Sequence, residues 1–81
     1  MATPDTRAGW RWQGMLSAAI RPGTPFSHLR ELVKIGRDQG HPVNDLYDQA
    51  ANAANLNWSL NVPSFAELER GHDGTVEQTS R

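Results

Sequence analysis

The stretch HPVNDLYDQAANAANLNWSLNV, residues 41–62, decides how the chain is read, because its apolar period changes partway along. Val43, Leu46, Tyr47, Ala50, Ala51 and Ala54 recur at the three-to-four-residue spacing of one helix face, so a helix is predicted after the His41-Pro42 break. Its stripe is rich in alanine, which lets a neighbouring helix approach closely. From Leu56 the period shortens. Leu56, Trp58, Leu60 and Val62 alternate with Asn57, Ser59 and Asn61, the two-residue repeat of a half-buried strand.

Working outward toward the N-terminus, Trp12, Met15, Leu16, Ala19 and Ile20 predict a first helix over 9–20, stopped by Arg21-Pro22-Gly23. Thr24 stands as the expected N-cap of a second helix, with Pro25 at its first position and Phe26, Leu29, Leu32, Val33 and Gly36 on its apolar face. Gly40 ends it. Toward the C-terminus, Ser64 and Glu67 have the spacing of a capping box and open a short fourth helix through Arg70, closed by Gly71. Residues 1–8 and the polar segment 71–81 are expected to be flexible, leaving 9–70 as one helical domain.

The predicted fold is therefore mainly α: a small bundle of three longer helices plus a short fourth, with one extended segment near 56–62. An isolated strand leaves its backbone groups unpaired. The alternative is an α+β arrangement in which a short strand at 9–13, around Trp10-Arg11-Trp12-Gln13, pairs with 56–62.

Composition sets the limits. The chain has 81 residues, no cysteine and a net charge of −1. These values exclude a disulfide scaffold and a cysteine-based zinc site, and no apolar run approaches the roughly 20 residues of a bilayer span. Leu, Ile, Val and Phe account for only 15 of the 81 residues, and nine more positions are alanine. A chain this small buries only about 60% of its unfolded surface and sits near the limit of independent stability. Self-association or a partner protein is therefore expected. The absence of cysteine, and of an apolar stretch after the first residues, leads us to expect a reducing, cytoplasmic setting.

No motif points to catalysis. The three histidines, His28, His41 and His72, have no catalytic or metal-ligand spacing, and no phosphate loop, nucleophile elbow or calcium loop occurs. No catalytic residue, metal or cofactor is assigned, and no motif places the chain in a known family.

Two surfaces remain as candidates. Trp58, Leu60 and Val62, joined by Trp10, form the expected partner-binding set, since tryptophan brings large area with few rotatable bonds and an unpaired strand edge recruits another chain. The competing reading places Trp58 in the core. Arg30, Lys34 and Arg37, spaced along one side of the second helix with Arg21 as an extension, form a basic patch that steers an acidic partner or, in the alternative reading, contacts nucleic-acid phosphates. Against a DNA-reading helix 43–54 stand Asp45 and Asp48 in its first turns, which phosphate repels. The expected function is non-catalytic protein–protein contact, with homodimerisation as the default. A small DNA-binding regulator or antitoxin is the second reading. Glu31 and Asp38 break the basic face, so membrane binding is not expected.

Overall fold

The computed structural model describes residues 4–71 and 73–79, with side chains from Trp10 onward. In chain order the elements are α1 (Pro4–Ala19), α2 (Phe26–Asp38), α3 (Val43–Trp58), β1 (Leu60–Asn61), α4 (Phe65–Glu69) and β2 (Glu77–Gln78). The fold is mainly helical, with three long helices, a short fourth and a two-stranded antiparallel sheet.

The α1–α2–α3 core follows the apolar stripes. Trp12, Leu16 and Ile20 meet Leu29, Leu32 and Val33 of α2 and Val43, Tyr47, Ala50, Ala51 and Ala54 of α3. Trp12 organises the α1–α2 contact. Its indole Nε1–H donates to the Leu32 carbonyl at 2.6 Å, and its ring lies over the backbone of Gly36. Its ring centroid is 6.2 Å from that of His41. On the other side of α1, the Gln13 amide donates to the Leu46 carbonyl at 3.4 Å and to the Gln49 amide oxygen at 3.3 Å. Met15, expected on the buried stripe, is 53% exposed, so the stripe is narrower than its spacing suggested and runs through Trp12, Leu16 and Ile20.

Helix ends are settled partly by local rules and partly by tertiary contacts. α2 closes in a Schellman arrangement, with the His41 N–H bonded to the Gly36 carbonyl and the Gly40 N–H to that of Arg37, both at 3.0 Å, and Gly40 at φ +85°. Thr24 does not cap α2. Its hydroxyl turns back, donating to the Ala19 carbonyl at 2.9 Å and accepting the Arg21 N–H at 3.3 Å, so it serves the C-terminus of α1. The N-cap position of α2 is Pro25, which offers no side-chain bond, and the Phe26 N–H is taken by the Gly74 carbonyl at 2.9 Å. α3 likewise begins after Pro42 without a side-chain cap, so neither Asn44 nor Asp45 caps it. α4 does open on the expected capping box of Ser64 and Glu67. It gains a bond the sequence did not announce: the Asp48 carboxylate of α3 accepts the Phe65 N–H at 3.2 Å.

The segment 56–62 is shorter as a strand than its alternation implied. α3 runs on through Trp58, past the point where the two-residue alternation begins. It stops at Ser59, which sits in the left-handed region at φ 52° and reverses the chain into β1. The partner of β1 is neither residues 9–13, which are helical within α1, nor an unpaired edge. It is β2, from the segment expected to be a mobile tail, in the register Leu60↔Gln78 and Asn61↔Glu77.

The described part of that tail is a strap. Val76 enters the core at 2% exposure, and the Val76 N–H donates to the Thr24 carbonyl at 2.9 Å while its carbonyl accepts the Gly23 N–H at 2.8 Å. Farther on, the Thr79 N–H and hydroxyl both bond the Ser59 carbonyl, at 2.8 and 2.6 Å. Backbone groups of the α1–α2 turn and the α3 exit need partners, and the strap supplies them with Val76 as its one buried apolar side chain. At the other end, residues 4–8 continue the helix of α1 instead of forming a loose lead-in. The expected flexibility of residues 1–3, 72, 80 and 81 concerns positions outside the described residues.

Candidate interaction surface

The four residues of the expected partner-binding set part company. Leu60 and Val62 are core residues at 6% and 5% exposure, held by the β1–β2 pairing and by the Val62 N–H bonded to the Asn55 side-chain oxygen at 3.0 Å. Trp10 and Trp58 are 70% and 69% exposed. The reading of Trp58 as a core filler is thus overturned. It lies on the last turn of α3 and is left open to solvent.

The two indoles do not form one patch. Trp12 against His41 and Gln13 against Leu46 place that part of α1 beside the start of α3. Trp58 ends α3, and the rise from Leu46 to Trp58 along the helix is about 18 Å. Trp10 and Trp58 therefore stand well apart along the bundle, Trp10 level with the start of α3 and Trp58 at its end. Three further apolar side chains are exposed, Leu56 at 83%, Met15 at 53% and Ile35 at 42%, none of which the sequence pattern marked as surface. Leu56 was disguised by its fit to the strand alternation. A helical count carried through to Trp58 sets it opposite Tyr47 and Ala54.

The basic residues do share a face, and α4 sits on it. Arg30, Lys34 and Arg37 border an open groove of about 380 Å³, together with Asp38 and Glu69, over Val33 and Leu68. The Arg37 guanidinium pairs with the Glu69 carboxylate at 2.8 Å, and Arg30 lies 4.0 Å from that of Asp73. Exposed pairs of this kind contribute little to stability. Their larger effect is on the field: the cations face carboxylates from α2, α4 and the strap, so the stripe is not a uniformly positive surface. Arg21 is not part of it. Its Nε–H folds back onto the Ala18 carbonyl at 3.1 Å, at the negative end of α1.

Among the described residues one ionisable group is fully buried. Tyr47 is fully buried, its hydroxyl donates to the Pro63 carbonyl at 2.8 Å, and its ring meets Phe65 edge-on at 6.0 Å. Burial, and then the negative charges of Asp48 and Glu67, push its phenol far above the ordinary value. The bond to a backbone carbonyl makes it a structural tie between α3 and the approach to α4.

Among the described residues no group of three or more His, Asp or Glu could hold a metal ion, and no helix is long and apolar enough to cross a membrane. Comparison with protein-family models, with curated proteins and with solved structures finds no match for the chain. The molecule is defined by its own geometry: a small three-helix body, braced by a short helix and closed by a C-terminal strap.

Proposed function

We propose that the protein works by contact with another protein chain, first of all a second copy of itself, and carries no catalysis. The reading is supported chiefly by the two tryptophans left about 70% exposed in a chain with few large apolar residues to spare. Exposed tryptophan is disproportionately an anchor at interfaces, because it buries large area at little cost in rotamer freedom. Trp10 and Trp58 serve as two separate anchors, one on α1 and one on the last turn of α3, and the absence of cysteine suits a reducing, cytoplasmic setting. Lys34, with the partly neutralised Arg30 and Arg37, orients an acidic partner surface. The DNA-binding alternative draws less support, since Glu69, Asp73 and Asp38 offset the cations that would meet phosphate.

Sizing chromatography with light scattering over a wide concentration range tests this. The apparent mass should rise above the 9.0 kDa of one chain. Trp10→Ala and Trp58→Ala should each reduce that rise while leaving the helical circular dichroism unchanged. A mass fixed at one chain throughout, with indole fluorescence that does not respond to concentration, would remove the proposal.

A further inference from the structure

Opening the strap 73–79 would cost little of the core. Of its residues only Val76 is buried, whereas Asp73, Gly74, Thr75, Glu77, Gln78 and Thr79 are exposed. The remaining buried core residues all come from Trp12 through Leu68. What opening would uncover is specific. The Gly23 and Phe26 N–H groups and the Thr24 and Ser59 carbonyls lose their partners together, and so does the edge of β1. This array of donors and acceptors, flanking the space that Val76 fills, suits an extended backbone with one small branched apolar side chain.

We infer that the strap is an exchangeable element: residues 73–79 leave their own groove without global unfolding and are replaced by the same segment of a second copy. The occupant's chemistry is visible, because the chain's own strap shows the register, the hydrogen bonds and the apolar anchor an incoming strap must reproduce. Exchange conserves every one of those contacts and alters only the connection after α4, where Gly71, at φ +77°, already turns the chain. Such reciprocal exchange is a low-cost route to a two-fold dimer. The inference deepens the self-association reading by assigning it a second contact, independent of the exposed indoles.

The register supplies the test. Asn61 and Glu77 are exposed strand partners. Their α-carbons are therefore about 4.5–5.5 Å apart, within the span of a disulfide. The double variant Asn61→Cys with Glu77→Cys should close within one chain on oxidation, which checks the geometry. An equimolar mixture of the two single variants is then incubated concentrated, oxidised and weighed by mass spectrometry. Exchange predicts that the mixed dimer, one chain of each variant joined by a disulfide, lies several-fold above its binomial share, whereas chance collision leaves it at that share. In the unmodified protein, the Val76 and Thr79 amides should exchange hydrogen about tenfold or more faster than those of Leu32 and Val33. A mixed dimer at or below the binomial share, or strap amides that open only with the whole molecule, overturns the inference. Loss of self-association in the tryptophan variants would leave both readouts untouched, so the two proposals fail separately.

Discussion

Trp12 and Gly36 are fitted to each other: a Cβ placed on Gly36 would lie 2.5 Å from Cε2 and 2.7 Å from Nε1 of the indole. The ring cannot easily retreat, because the same nitrogen is bonded to the Leu32 carbonyl. A helix interior ordinarily gains about 1 kcal/mol when alanine replaces glycine. Here overpacking, worth about 1–3 kcal/mol, should dominate. Gly36→Ala should therefore lower the melting temperature, by about 4–8 °C per kcal/mol in a domain of this size.

Gly14 provides the contrast within α1. Nothing lies within 4 Å of where its Cβ would stand. Gly14→Ala should accordingly stabilise the chain by about 0.5–1 kcal/mol, read from thermal melts run beside Gly36→Ala. The reverse order of the two variants would show that the α1–α2 packing described above is wrong.

Tyr47 makes stability depend on alkaline pH. Its phenol has a raised pKa in the folded chain and an ordinary value of about 10 when unfolded, so above that pH only the unfolded state releases the proton. The stabilisation is whole below pH 10 and declines as pH climbs beyond it. In Tyr47→Phe that part of the slope should vanish. The variant should also lose about 1–3 kcal/mol at neutral pH, because the buried Pro63 carbonyl is left without its donor. Urea melts between pH 8 and 11 measure both effects.

Ser59 holds a backbone conformation that costs a non-glycine residue about 1–2 kcal/mol. Ser59→Gly should be neutral to mildly stabilising, the relief of strain being partly offset by the entropy of the unfolded chain. Ser59→Val, β-branched at positive φ, should destabilise by about 1 kcal/mol or more in denaturant titration.

The start of α4 should respond to two residues far apart in the chain. Ser64→Ala and Asp48→Ala each remove an acceptor from an N-terminal N–H, and each should cost about 0.5–2 kcal/mol by chemical denaturation. By comparison, Trp58→Ala should stay within about 0.5 kcal/mol of the parent and Trp12→Ala should lose about 3–5 kcal/mol, enough to threaten folding of so small a domain.

Much of the architecture was legible locally. The stripes through Leu29 to Gly36 and Val43 to Ala54 are faces of single helices, and Ser64 with Glu67 caps a helix using atoms three residues apart. The candidate surface was less legible. Trp12 and Trp58 are the same residue type near similar neighbours. One is sealed by α2, and the other is left open to solvent on the last turn of α3. Leu56 and Leu60 fit one alternating pattern although a helix end falls between them.

The sequence by itself determined the number and order of the helices, the glycine stop of α2 and the capped start of α4, because periodicity, glycine stops and a capping box act within a turn or two of the backbone. Only the tertiary structure decided which tryptophan is covered, which carboxylates meet Arg30 and Arg37, and that Val76 reaches back to close the core. Those outcomes depend on contacts between segments more than fifty residues apart, such as Thr24 with Val76. A pairing of that kind is set by the shape and unmet hydrogen bonds of the assembled body, which no local pattern in the chain encodes.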